Sequence, residues 1–157
     1  MKDRSVILSQ GGLADLPSVM AVMDDSFDPS FGEAWTKPQC AGLLPMPGVW
    51  LTLAWIGDEA AGFALSRAMA DEAELLLLAV RKSDQGHGVG KCLLDDFMNA
   101  ARSRGATRLL LEVREGNQAV ALYERAGFSL IGRRRHYYSG RDGQLRDALT
   151  MARTAPD

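Results

Sequence analysis

Three glycines alternate with other residues in Gln85-Gly86-His87-Gly88-Val89-Gly90-Lys91. Without Cβ atoms at these positions, backbone N–H groups can turn toward a ligand and approach it closely. An amphipathic stretch follows at once, so the turn opens a helix whose first N–H groups are free and whose dipole is positive at that end. The combination suits an anion, and a pyrophosphate is the natural guest. A tight strand-to-helix connection without a ligand would use the same glycines. A dinucleotide-binding turn fits less well, because its glycines follow the first strand and its acidic partner comes about 20 residues later. A Walker-type loop fails for want of its lysine and hydroxyl pair.

Such a loop needs a strand before it and a helix after it. Glu72-Ala73-Glu74 leads into an apolar run at 75–80, which reads as a central strand buried on both faces. From 88 to 104, Val89, Leu93, Leu94, Phe97, Met98 and Ala101 share one helical face, with Lys91, Asp95, Asp96, Asn99 and Arg102 opposite. Gly105 is a natural end for that helix. Upstream, 4–9 reads as a first strand, and 15–27 carries Leu16, Val19, Met20 and Met23 at helical spacing. Thr36 with Gln39 forms a capping box that opens a short helix to Leu44. Segments 49–56 and 60–69, joined by Gly57-Asp58-Glu59, read as a hairpin. Downstream come a strand at 108–113, a helix at 118–126 stopped by Gly127, and closing strands at 128–138 and 147–152. The order β-α-α-β-β-β-α-β-α-β-β predicts an α/β domain with a mixed sheet. With no repeat or linker, 1–157 is expected to be a single domain.

Composition narrows the class. At 157 residues, 46% hydrophobic and 24% charged, the chain has enough apolar material for a core. No apolar run approaches the ~20 residues needed to cross a bilayer, and the N-terminus lacks a leader pattern, so a cytoplasmic protein without membrane contact is expected. Cys40 and Cys92 are far apart and read as buried free thiols, while His87 and His136 are isolated, so no metal site is expected. The net charge of −2 divides unevenly: residues 1–80 hold 4 Lys/Arg against 11 Asp/Glu, and residues 81–157 hold 14 against 9. The glycine loop lies in the basic half, which would attract a polyanion, although solvated surface charge accounts for the asymmetry equally well. Arg133-Arg134-Arg135 falls on a strand, where successive side chains point to opposite faces, so direct nucleic-acid binding is not expected.

Gln85-x-x-Gly88-x-Gly90 resembles the acetyl-CoA loop of the GNAT superfamily of N-acetyltransferases. Two further segments resemble that family in the same order: Leu111-Glu112-Val113-Arg114 with Asn117, and Ala121-Leu122-Tyr123-Glu124-Arg125-Ala126-Gly127-Phe128. Within the superfamily the chain is most similar to the ribosomal-protein alanine N-acetyltransferases, the RimI group. That likeness rests on Asp71-Glu72-Ala73-Glu74-Leu75, on Tyr137-Tyr138 after the arginine run, and on Asp147-Ala148-Leu149-Thr150-Met151. Arg81-Lys82-Ser83-Asp84 departs from the family's usual Asp-Pro turn, and 31–50 has no clear counterpart in that group. The resemblance implies a mixed, mostly antiparallel seven-stranded sheet flanked by about four helices. It also implies acetyl-CoA as co-substrate, no metal, and a monomer or homodimer. The implied acceptor is a protein N-terminus. A small-molecule amine would use the same chemistry, and a module that binds acetyl-CoA without turnover is a third reading.

An amine attacks a thioester only when neutral, so a site for it must take up a proton, stabilise an oxyanion and protonate the leaving thiolate. An α-amino group with pKa about 8 is roughly a tenth neutral at pH 7, whereas a lysine near 10.4 is under about a thousandth neutral. One carboxylate therefore suffices as base for an N-terminal acceptor. The resemblance gives this role to Glu112; taken by position alone, Glu112 is equally a strand-end carboxylate paired with Arg114 or another cation. Tyr123 is the candidate acid for the thiolate, or else a packed helix aromatic with its hydroxyl at the surface. By resemblance, the backbone of Leu78, Ala79 and Val80 pairs with the pantetheine arm, residues 85–91 hold the pyrophosphate, and Asn117 contacts the cofactor while also suiting a helix N-cap. Tyr137 and Tyr138, with Glu33 and Trp35, are candidates for the acceptor site, with Trp35 also a candidate for simple core.

Overall fold

The computed structural model describes residues 5–157. Strand β1 (Val6–Gly11) is followed by α1 (Leu16–Ser26), α2 (Lys37–Leu43), β2 (Val49–Ile56), β3 (Glu59–Met69), β4 (Glu72–Val80), α3 (Val89–Ser103), β5 (Arg108–Arg114), α4 (Ala119–Arg125), β6 (Ser129–Ser139) and β7 (Leu145–Thr154). Every expected element forms in the expected order. The first starts at Val6, and the Arg4 end of the expected span lies outside the described residues. Short 3-10 turns at Leu13–Asp15, Pro29–Phe31 and Lys82–Asp84 complete the order.

All seven strands join one sheet in the order β1-β2-β3-β4-β5-β7-β6. Only β4 and β5 run parallel. They are joined through α3, as a parallel crossover requires. The Gly57-Asp58 turn pairs Ile56 with Glu59, so the hairpin turns on two residues with Gly57 at φ 60. Thr36 and Gln39 exchange the two hydrogen bonds of the capping box, at 3.3 and 2.8 Å, and set the start of α2.

The two sheet faces are covered separately. Phe97, Leu93, Leu94 and Ala101 of α3 pack on Trp50, Leu109, Leu111 and Met151; Val19, Val22 and Met23 of α1 pack with Cys40 on Leu51, Leu53, Phe63 and Leu65. Cys92, expected to be buried, is exposed, because it falls on the solvent face of α3 beside Lys91.

Strand β4 also departs from its expected burial on both faces: burial along it alternates, with Ala73, Leu75, Leu77 and Ala79 covered and the residues between them partly open. The physical reason is a bulge. Ser66 faces Leu75 but Leu65 faces Leu77, so Leu76 is an extra residue on β4. Beyond it the strand's faces exchange: Leu75 belongs to the α3-side core, Leu77 and Ala79 to the α1-side core.

Candidate active site

The parallel pairing of β4 and β5 stops early. It runs from Glu72↔Arg108 to Leu75↔Leu111, although β4 continues to Val80 and β5 to Arg114. The two strands part where β4 bulges, leaving one edge of 76–80 unpaired toward β5. A cavity of about 300 Å³ opens in this split. Its walls include Leu76 and Leu78 of β4, Glu112 and Val113 of β5, Tyr123 of α4, Tyr137 and Tyr138 of β6, and Glu33 and Trp35 from the segment between α1 and α2. An opening of this kind exposes backbone N–H and C=O groups that a sheet would otherwise consume, and these suit an extended ligand.

Glu112 stands at the cavity wall with a side chain 19% exposed, and its Oε1 lies 2.7 Å from Nε of Arg134. Of the cations open to it by sequence, the partner is therefore Arg134, two strands away, and not Arg114. Glu74 shares this sheet face one register step behind, since it pairs with Leu110. Burial pushes the Glu74 carboxyl above its ordinary range; Arg67 offsets the push and the negative Glu112 adds to it. Arg67 contacts Glu74 at 3.6 Å. Two carboxylates and two guanidiniums thus line one side of the site.

Tyr123 is buried, edge-on to Phe128 at 6.2 Å between ring centroids, and reaches the cavity. Its hydroxyl is not at the surface. Burial holds it protonated well above the ordinary phenol range, with Glu33 and Tyr138 adding to the effect. Tyr138 is pushed the same way, first by burial and then by Glu33 and Glu112. Tyr137 crosses it edge-on at 5.1 Å and is half exposed. Trp35 packs on the α1-side core and also lines the cavity.

Glu33 is committed within the fold. Its two oxygens accept from Arg114 Nε and Asn117 Nδ2, each at 2.8 Å. The Arg114 guanidinium lies 3.9 Å over the Phe31 ring. Asn117 Oδ1 in turn accepts from the Ala119 N–H at 2.8 Å, so this side chain caps α4 while it holds Glu33. Gly32, at φ 70, passes so close to Ser139 that a Cβ would meet its carbonyl, and Arg146 Nη1 donates to the Ser30 carbonyl at 3.0 Å. The segment between α1 and α2 is thereby fastened across the β6–β7 end of the site.

The glycine loop sits at the other end of the split. Gly86 and Gly88 take φ 79 and 86, and open space surrounds the Cβ position of each. Gly90 answers a different need: a Cβ there would lie 3.2 Å from the Leu122 side chain. His87 and Lys91 are exposed, with Lys91 on Asp95 at 2.8 Å, and Val89 is buried as the first residue of α3. Gln85 Nε2 donates to the Val80 carbonyl at 3.0 Å, so it ties the loop to the end of β4. Ala79 lies between that tie and Leu78 in the cavity wall.

Three participants escaped the sequence reading, Arg134, Glu74 and Arg67, while Arg114, read there as a partner for Glu112, holds Glu33 instead. The alternation of Glu72, Glu74 and Leu76 marked Glu74 for one face of β4, which was the available sign. Arg134 needed the register across β7. The arginine run does divide as strand alternation requires, with Arg133 on Glu115 and Asp147 at 2.5 and 2.9 Å and Arg134 on Glu112.

The chain is similar to known proteins in sequence and in fold. A curated ribosomal protein bS18-alanine N-acetyltransferase from Escherichia coli is 42% identical over 93 residues, 59% of this chain and 62% of that protein. Its counterpart from Haemophilus influenzae is 40% identical over 91 residues, 58% and 62% of the two chains. These alignments thus span under two thirds of the curated relatives' length. The crystal structure of the ribosomal-protein-S18-alanine N-acetyltransferase from Escherichia coli superposes with a TM-score of 0.87 at 30% identity, covering 98% of this chain and 96% of that one. The model of the Acetyltransferase (GNAT) family matches residues 16–128, a span that runs from α1 to Phe128 and includes the loop, Glu112 and Tyr123. By this family match and the likeness of fold, the chain belongs to the GNAT acetyltransferase family.

Proposed function

We propose that the chain is an acetyl-CoA-dependent N-acetyltransferase acting on the N-terminal α-amino group of a protein, such as a ribosomal protein. The observation that carries this reading is the cavity in the β4–β5 split, which holds a carboxylate, a protonated phenol and unpaired backbone together. Glu112 takes the proton from the acceptor ammonium, directly or through a water, and the amine lone pair attacks the thioester carbonyl. Backbone groups of β4 just past the bulge steady the developing oxyanion. Tyr123 delivers its proton to the departing thiolate and is restored by the second proton, which the acylated nitrogen sheds through a water as the amide forms. Leu78, Ala79 and Val80 align the pantetheine arm, 85–91 hold the pyrophosphate, and Asn117 lies beside the arm where α4 begins. The acceptor enters between Trp35, Tyr137 and Tyr138.

The names of the relatives support a protein N-terminus over a small amine, and an α-amine already partly neutral at pH 7 needs no base beyond Glu112. No helix among the described residues is long and apolar enough to cross a membrane. We place the enzyme in the cytoplasm, working without a metal and as a monomer or homodimer. Incubating the purified protein with acetyl-CoA, a panel of peptides with different first residues, and small amines tests the reading, with intact mass as readout. Acetylation of Ala-initiated peptides is expected. Modification of small amines alone would overturn it.

A further inference from the structure

Arg134 reaches Glu112 from a place built for it. Pairing between β6 and β7 breaks between Arg134↔Ala148 and Tyr138↔Arg146, so β6 advances four residues while β7 advances two. His136 takes φ 55 in this bulge and gives its N–H to Asp147 Oδ1 at 3.0 Å. Because the surplus is even, Arg134 and Tyr138 keep one face, the face of Glu112. The guanidinium is 2.7 Å from the carboxylate, yet the Arg134 side chain is 62% exposed against 19% for Glu112. Its guanidinium carbon stands 5.5 Å from the centre of the exposed Tyr137 ring. The cation therefore bridges a part-buried carboxylate and an open aromatic surface.

We infer that Arg134 is an exchangeable counter-ion: it holds Glu112 in the free protein, and the cationic amine of the acceptor takes its place. The inference rests on the amine-acetylating reading above. Other charges at the site are committed. Arg67 from β3 is on Glu74 of β4, and Arg114 is on Glu33 of the α1–α2 segment. Tyr123 of α4 and Tyr138 of β6 present neutral phenols. Exchange of one unit cation for another keeps Glu112 from standing bare in its wall, where an unpaired charge is costly. The ammonium then breaks one N–H bond as Glu112 gains the proton, and its lone pair becomes free to attack. Arg134 stays protonated and turns toward Tyr137 and solvent. A neutral amide or hydroxyl cannot displace a guanidinium this way, so the exchange selects acceptors that arrive charged.

Steady-state kinetics on an Ala-initiated peptide, with wild type, Arg134→Gln and Arg134→Lys, test the exchange. The glutamine variant removes the competitor, so the acceptor KM falls about three- to fivefold, the range an exposed ion pair can hold back. kcat and the acetyl-CoA KM change less, and lysine restores the wild-type acceptor KM. An acceptor KM that is unchanged or raised in Arg134→Gln overturns the inference, because Arg134 is then a bystander or an acceptor ligand. Independently of turnover, the Arg134 Nε–H resonance of labelled protein with CoA bound is expected to shift as the peptide is titrated in. Peptide binding without that shift also overturns it. Turnover of no amine by the wild type removes the proposed function itself, and is distinct from either result.

Discussion

Glu112 and Tyr123 belong to opposite faces of the sheet and yet line the same cavity. Leu110, Glu112 and Arg114 alternate toward the α1 side, while Leu109, Leu111 and Val113 pack with Tyr123 on the α3 side. The two side chains meet only because β4 and β5 separate after Leu75↔Leu111. A base and an acid placed this way approach a ligand from its two sides, as proton uptake at the amine and delivery at the sulfur require.

Glu112→Gln should therefore lower kcat by at least about 10²-fold, the usual worth of a positioned base, with acetyl-CoA affinity by calorimetry little changed. Tyr123→Phe should do the same at the other proton. Because burial holds the Tyr123 phenol protonated above its ordinary value, wild-type kcat should show no loss from ionisation of this group below about pH 10. Turnover within a few fold of wild type in either variant would remove the assigned role.

The Glu33–Arg114 pair is the most enclosed ion pair of the site, with side chains 9% and 11% exposed. Removing one partner strands the other, at a cost of about 3–5 kcal/mol where burial is complete. Glu33→Ala and Arg114→Ala should each lower stability in denaturant unfolding, and the double variant should lose clearly less than the sum. Strict additivity would show that the two residues act separately. Glu33 also anchors Asn117 beside the pantetheine arm, so Glu33→Ala should raise the acetyl-CoA KM as well.

Much of the fold is legible in the sequence. The helical face of α3, the capping box at Thr36 and the punctuation at Gly105 and Gly127 are local, so composition and spacing reveal them. The bulge at Leu76 is not local. A run of four leucines looks the same whether a strand is straight or carries an extra residue, and only the pairing with Leu65 and Ser66 decides it. Glu112 was legible as a charged strand-end residue, but its partner depended on the β5–β7–β6 register and a two-residue bulge in β6. Glu33 and Trp35 were found as acceptor-site candidates by chemical type, although the commitment of Glu33 to Arg114 and Asn117 was visible only in three dimensions.

The loop glycines make separable demands. Gly86→Ala and Gly88→Ala meet no steric obstacle, so each should cost about 1–2 kcal/mol of backbone strain from its positive φ. Acetyl-CoA affinity should weaken with it, as the loop's N–H groups lose their aim. Gly90→Ala keeps helical backbone geometry and instead pushes on Leu122, so its effect should fall on the packing of α4 and hence on Tyr123. Calorimetry should find Gly88→Ala the more damaging to acetyl-CoA binding. The reverse ranking would show that the left-handed turn is dispensable.

Glu74 gives a pH signature of opposite sign to most carboxylates. Burial raises its folded pKa above the ordinary value of 4.5, with the Arg67 attraction too weak to reverse the shift. A carboxyl whose pKa is raised on folding disfavours the fold wherever it is ionised, so the penalty is full above the folded pKa. It shrinks as pH falls through that value and is absent below the unfolded value. Glu74→Gln should consequently raise Tm at pH 7, by only about 1–2 °C because the group is more than a third open to solvent. The advantage should fade as the pH falls toward 4.5 and be gone below it. A drop in Tm at pH 7 would mean that the 3.6 Å contact with Arg67 outweighs burial, and Glu74 would then be a stabilising half of an ion pair.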